Sequence, residues 1–152
     1  MKSKARFRNF ILLAWLGACN CASAQVLLVT QEEAQASRSA PPQLTPKALP
    51  GPGSPTITLQ APDLRQAVAS PLSVKLRFHS TAPAVILPQT FRVLYGVFRL
   101  DITDRITAST VVTPAGLEVP EAQLPAGSHT LLVEVQDSAG RQGRRWFKFE
   151  VE

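Results

Sequence analysis

The chain is poor in sulfur, and all of it lies near the N-terminus. Of the 152 residues two are cysteine and one is methionine, and these are Met1, Cys19 and Cys21. From residue 22 onward the chain therefore has no thiol for a disulfide and no soft sulfur ligand for a metal ion. The stability of that part has to come from the burial of apolar side chains.

The chain also has little net charge once its first residues are set aside. It contains 16 basic and 11 acidic residues, and four of the basic ones lie within the first eight positions. Without those four the balance is 12 against 11, a formal charge of +1. Only Arg141, Arg144 and Arg145 are grouped, whereas a phosphate-binding surface needs a clustered basic footprint. The charge pattern excludes nucleic acid as a partner.

The first 24 residues have the layout of a secretory signal peptide. Basic residues alternate over Lys2–Arg8, and Phe10–Ala18 is an apolar run of nine residues, too short to cross a bilayer. Ala22–Ala24 is an A-x-A cleavage motif directly before Gln25. We expect export to the periplasm or the medium, with a mature chain that begins at Gln25 and has no transmembrane helix.

A second processing route remains open. Leu16–Cys19 (LGAC) resembles a lipobox, after which a bacterial lipoprotein is cut and its cysteine lipidated. Lipidation at Cys19 would make the protein an outer-membrane lipoprotein. The complete A-x-A motif, and the apolar run Val26–Val29 that leaves no clear tether after Cys19, favour cleavage after Ala24.

The chain changes character twice after the signal. Thr30–Glu33 fits a helix capping box, which predicts a short helix that continues to Ser39. Pro41–Pro55 contains six prolines and two glycines in fifteen residues, a composition typical of a stiff, extended spacer. We divide the chain into a signal peptide (1–24), a short helix with a largely irregular Pro-rich linker (25–55) and a folded domain (56–152).

The remainder has the two-residue periodicity of antiparallel strands with one buried face. Leu72–His79 alternates without error, Phe147–Val151 does the same, and Ser128–Gln136 does so except at Leu132. Shorter strands are predicted at Ile57–Leu59, Phe91–Tyr95 and Phe98–Ile102. The pattern predicts an all-β sandwich of about seven strands.

The C-terminal strands carry a family resemblance. Leu124–Gly140, which closes on Phe147–Val151, resembles the last hairpin of bacterial immunoglobulin-like domains of exported proteobacterial proteins. The resemblance implies a single immunoglobulin-like antiparallel β-sandwich, although the usual disulfide and core tryptophan are missing. His129 stands where that fold has its corner tyrosine, so we expect it to be partly buried and bonded to the preceding loop. His79 should face outward.

The closing pattern is also similar to that of periplasmic copper carriers. Their metal sites use a histidine at the mature N-terminus with further histidines or methionines, whereas this chain would begin at Gln25 and has only Met1. We therefore predict no metal ligands and no cofactor. His79 and His129 lie on separate strands, and no G-x-S-x-G motif is present, so we predict no enzyme activity.

A sandwich fold says little about function. We interpret the chain as a non-enzymatic binding or accessory module of a Gram-negative cell envelope, with an envelope protein or glycan as partner. Trp146 beside Arg144 and Arg145 is the candidate contact, because aromatic and arginine side chains are enriched in binding hot spots. Trp146 covering the sheet, or packing under the N-terminal segment, is the competing interpretation. A membrane-anchored structural subunit lipidated at Cys19, or a periplasmic metal carrier, are the alternative functions.

The processing prediction is directly measurable. We expect protein from the periplasmic fraction to have the mass of a chain that begins at Gln25, because the A-x-A motif ends at Ala24. Intact-mass spectrometry decides this. A mass that includes acyl chains on Cys19, with the protein in the membrane fraction, would contradict it.

Overall fold

The computed structural model describes residues 25–41 and 51–152. The predicted signal peptide with Cys19, and residues 42–50 of the Pro-rich stretch, lie outside the described residues. The described residues contain eight strands and two helices in this order: β1 (Val26–Leu27), α1 (Gln31–Ser39), β2 (Thr56–Ala61), β3 (Leu72–His79), β4 (Ile86–Tyr95), β5 (Leu100–Asp101), α2 (Thr103–Thr107), β6 (Gly116–Gln123), β7 (Gly127–Asp137) and β8 (Gln142–Val151).

The strands form two four-stranded sheets. One has the order β1-β6-β3-β2 and the other β5-β4-β7-β8, and β1 pairs with β6 in the parallel direction. The neighbours β2-β3-β6 and β4-β7-β8 have the strand order of an immunoglobulin sandwich. The predicted fold class, an all-β sandwich of the immunoglobulin-like type, is confirmed.

Alternating side chains of both sheets build the core. In β3 the apolar positions Leu72, Leu76 and Phe78 are buried, while the polar positions between them face out or lie half-buried. Phe78 packs against Phe91 of the opposite sheet with ring centroids 5.9 Å apart. Because each strand contributes every second residue, the two inner faces meet as one apolar layer.

Helix α1 begins as the capping box predicts. The Glu33 amide donates to the Thr30 hydroxyl at 3.2 Å, and the Thr30 amide donates to the Glu33 carboxylate at 2.9 Å. The helix ends at Ser39, as expected.

The segment Val26–Ser39, called here the N-terminal segment, belongs to the sandwich. The sequence had predicted it to be part of the region of short helix and linker. Val26 pairs with Ala122 of β6, and Leu28 and Val29 lie in the core, the latter fully buried. The run VLLV is apolar enough to cover core that the two sheets leave open beside β6. The domain therefore includes residues well before the predicted boundary at 56.

Two further elements differ from expectation. The predicted strand Phe98–Ile102 is reduced to β5 and is followed by helix α2, and β6 was not predicted. β6 contains Pro120. Proline argues against a strand because it has no amide hydrogen to donate to the hydrogen bonds between strands. The register between β3 and β6 shifts at this point, which gives proline a position in the strand that needs no donor.

A bidentate ion pair connects the N-terminal segment to α2. The Arg105 guanidinium donates two hydrogen bonds of 2.7 Å to the two Glu33 oxygens, and a third of 2.9 Å to the Leu28 carbonyl. The Arg105 hydrogen bonds, with that of the Thr30 amide, lower the pKa of Glu33 to about 2. The pair holds the capped end of α1 and the buried Leu28 backbone in one place.

Substitution Glu33→Gln isolates the charge of this pair, because glutamine keeps the capping hydrogen bond. We expect a loss of about 1–2 kcal/mol in the free energy of unfolding at pH 7, below the full linkage value because both side chains are partly solvated. The folded-state pKa is depressed, so this stability is present above pH 4.5 and is lost as the pH falls toward 2.

Urea unfolding at several pH values measures the difference. Glu32→Gln, an exposed neighbour in the same helical turn, is the matched control and should change stability by less than about 0.5 kcal/mol. A difference in the free energy of unfolding between Glu33→Gln and wild type that stays constant from pH 7 to pH 3 would contradict the prediction.

Candidate functional site

The outer face of the β5-β4-β7-β8 sheet carries an apolar row. Phe147 and Phe149 of β8 point into the core. Because side chains alternate along a strand, Trp146, which directly precedes Phe147, points outward, with 42% of its surface exposed. Trp146 lies opposite Leu132 of β7, which lies opposite Leu94 of β4. Although Leu132 is on the outer face it is only 3% exposed. Leu132, the residue that interrupts the alternation of β7, is therefore the centre of this row.

A charged row runs beside the apolar row. Arg144, Glu134, Arg92 and Asp101 follow one another across β8, β7, β4 and β5, so their charges alternate in sign. The Arg144 Nε atom lies 2.7 Å from Glu134 Oε1, and Arg92 Nη2 lies 2.7 Å from Asp101 Oδ2. Glu134 is 8% exposed and faces Arg92 in register. Each charge in the row thus has an opposite charge beside it.

The end of this row stays ionised over the physiological pH range. Hydrogen bonds from the Thr103 hydroxyl and from Arg92 lower the pKa of Asp101 to about 2. The same Asp101 carboxylate raises the pKa of Arg92. The Arg92–Asp101 pair therefore stays charged at neutral pH.

Two of the three predicted contact residues share this face. Trp146 and Arg144 both point outward, whereas Arg145 lies on the opposite side of β8, with its guanidinium carbon 5.9 Å from the Phe147 ring centroid. Strand alternation separates neighbours in sequence, so the trio is not one patch. Leu94, Arg92 and Asp101 could not be assigned to this face from the sequence, because only cross-strand pairing brings them onto the same sheet face as Trp146.

His129 forms a buried corner at the start of β7. Its ring is 1% exposed, with Nδ1 2.9 Å from the Tyr95 hydroxyl and Nε2 2.7 Å from the Pro125 carbonyl. The carbonyl can only accept, so Nε2 carries the proton and Nδ1 accepts from Tyr95. Burial lowers the pKa of His129 and raises the pKa of Tyr95. This corner makes the predicted hydrogen bond to the preceding loop, and its ring is buried more completely than expected.

The turn between β7 and β8 is built around Asp137. Its carboxylate accepts hydrogen bonds from the Ser80 hydroxyl, from the Ala139 and Arg141 amides and from the Arg141 guanidinium. Burial raises the pKa of Asp137, but the hydrogen bonds from Arg141 and Ser80 outweigh it, and the pKa lies below its ordinary value. The cluster fixes the hairpin that positions β8.

The described residues offer little for other chemistry. In residues 25–41 and 51–152 no group of three or more histidine, cysteine, aspartate or glutamate side chains is placed to hold a metal ion. Between the sheets lies an apolar cavity of about 40 Å³, lined by residues that include Phe91, Leu131 and Phe147. His79 is exposed at the end of β3, as expected. Helices of the described segments are all too short to cross a bilayer.

Comparison with known proteins adds two distant likenesses. No protein-family model matches the chain, and no curated protein matches it. Among solved structures, CopC from Methylosinus trichosporium OB3b aligns with a TM-score of 0.37 and 21% identity, over 57% of this chain and 80% of CopC. Murine CRIg aligns with a TM-score of 0.37 and 13% identity, over 66% of this chain and 98% of CRIg. The fold assignment rests on the sheet order described above.

The corner predicts a contrast between the two histidines. We expect His129→Ala to lower the free energy of unfolding by about 1–3 kcal/mol, because it removes packing and leaves the Tyr95 hydroxyl without its acceptor. His79→Ala should change it by less than about 0.5 kcal/mol. Urea unfolding at pH 7.5 measures both, and equal, negligible effects would contradict the corner role.

The same corner predicts acid sensitivity. The folded-state pKa of His129 lies below that of the unfolded chain, so protonation favours unfolding. Stability is full above about pH 6.5 and is lost as the pH falls toward the folded-state pKa. Between pH 7.5 and 5 the wild type should therefore lose more stability than His129→Ala, and an equal loss would count against a buried neutral ring.

Proposed function

We propose that this chain is an exported, non-enzymatic binding module that recognises an envelope protein through the outer face of its β5-β4-β7-β8 sheet. One observation carries the proposal. Trp146 stands half-exposed against a buried Leu132, beside a row of fixed ion pairs. Tryptophan, tyrosine and arginine are the residue types that are enriched in binding hot spots.

The rigidity of the face supports recognition. Trp146 and Arg144 lie on β8 and pair across the sheet with β7, so little backbone freedom is lost when a partner binds. The ring supplies apolar surface to bury, and the alternating charges beside it orient the partner and disfavour surfaces with the wrong charge order.

Export is the second part of the proposal, and it rests on the sequence. The predicted cleavage after Ala24 falls one residue before β1, so the cut would leave the N-terminal segment complete. The periplasm or the medium is then the site of action. Lipidation at Cys19 with a place in the outer membrane, as a structural subunit, is the alternative.

Truncation of Trp146 tests the binding face. We expect Trp146→Ala to weaken capture of the partner by about 2 kcal/mol, or roughly 30-fold in affinity, because a hot-spot aromatic contributes on this scale. Crosslinking in cells, with quantitative mass spectrometry of the captured proteins, measures the change. Val111→Ala, a substitution of an exposed apolar residue elsewhere on the domain, is the matched control.

Two outcomes would contradict the proposal. One is a folded Trp146→Ala protein that captures the same proteins in the same amounts as the wild type. The other is a stoichiometric Cu²⁺ site of micromolar or tighter affinity in calorimetry, which would favour the metal-carrier alternative.

A further inference from the structure

The edge of β8 is hydrogen-bonded at one end, closely approached by the chain at the other, and open between them. At one end the Val68 amide donates to the Glu150 carbonyl at 2.9 Å, and the Glu152 amide donates to the Val68 carbonyl at 3.1 Å. At the other end Pro55 approaches so closely that a side chain at Gly143 would collide with the Pro55 carbonyl. A stretch of β8 therefore lies between two segments of the chain's own backbone.

The backbone groups of this stretch point away from β7. In an antiparallel ladder both polar groups of one residue point to the same side, and the side alternates along the strand. Glu150 points outward to Val68, so Lys148, Trp146 and Arg144 do as well. Among residues 25–41 and 51–152 no group bonds to the amides or carbonyls of these three. The open edge, Arg144–Lys148, spans roughly 16 Å at about 3.3 Å per residue.

The open edge is cationic. It contains Arg144, Arg145 and Lys148 and no acidic residue. Arg144 is paired with Glu134, while Arg145 and Lys148 form no ion pair with the described residues. Glu150 lies beyond the open edge, where Val68 already pairs. Basic side chains on an edge discourage indiscriminate strand pairing but complement an acidic strand.

We propose that an extended, acidic polypeptide segment adds as a strand to the open edge, with Trp146 packed over its side chains. This rests on the proposed function and names the chemistry of the partner. Strand addition uses the unpaired backbone groups for affinity and the side chains of alternate residues for selectivity. A second copy of this chain is disfavoured, because pairing β8 with β8 would place Arg144, Arg145 and Lys148 of both copies side by side.

A defined peptide tests the proposal on the purified protein. The probe is a ten-residue peptide of alternating glutamate and valine with blocked ends. On binding we expect hydrogen exchange of the Arg144, Trp146 and Lys148 amides to slow by about tenfold or more, because each gains a hydrogen bond. The Val135 amide, already inside the β7–β8 ladder, should not change. The same peptide with lysine in place of glutamate is the charge control and should bind at least about tenfold more weakly.

Substitution Lys148→Pro separates backbone pairing from charge. Proline has no amide hydrogen, and the Lys148 amide is not used in the ladder with β7, so an edge proline is compatible with the fold. We expect Lys148→Pro to weaken peptide binding by about tenfold or more beyond the effect of Lys148→Ala, which removes the same charge. A peptide of identical sequence with alternate N-methylated amides repeats the test on the unaltered protein if the proline variant fails to fold.

The outcomes distinguish this inference from the proposed function. Equal binding of the methylated and unmethylated peptides, equal binding of the lysine peptide, or amides at Trp146 and Lys148 already protected without peptide would overturn strand addition. If Trp146→Ala loses the envelope partner while Lys148→Pro keeps it, the outer face is the binding site and the edge is not. If neither substitution changes capture, both proposals fall.

Discussion

The two-residue period of strand β8 is the constraint on which the rest of this structure depends. It directs Phe147, Phe149 and Val151 into the core, and Trp146 to the outer face. The same period turns the backbone groups of the outward residues toward the free edge. One strand thus builds the core, the candidate binding face and the open edge. A slip of one residue would exchange all three roles at once, so the Asp137 turn that sets the register matters to each of them.

The N-terminal segment is the second condition for this fold. Its pairing with β6, its buried Val29 and the Glu33–Arg105 ion pair join it to one sheet, to the core and to helix α2. The segment is therefore part of the domain, in the place of an edge strand. In the other sheet, β8 is an edge strand, and it has an open stretch among the described residues.

Sequence reasoning worked where a pattern was local. The alternation of β3, β7 and β8, the capping box at Thr30 and the corner at His129 are all set by residues within a few positions of one another. It failed where a distant partner decides. No strand was predicted over β6, which contains Pro120, and the bulge that accommodates this proline exists only in the pairing with β3. The run VLLV after Gln25 was assigned to the linker, because the gap that it fills is made by other parts of the chain.

The sequence by itself determined the class of fold, the absence of sulfur chemistry after residue 21 and the outward direction of Trp146, because composition and a period of two need no knowledge of neighbours. Only the tertiary structure decided what surrounds Trp146. Cross-strand register placed Leu132 beside it and Leu94 beyond Leu132, and it set Arg144 against Glu134 while Arg145 lies on the other side of β8. Register is a property of paired strands, and residues far apart in the sequence become neighbours only when the strands pair.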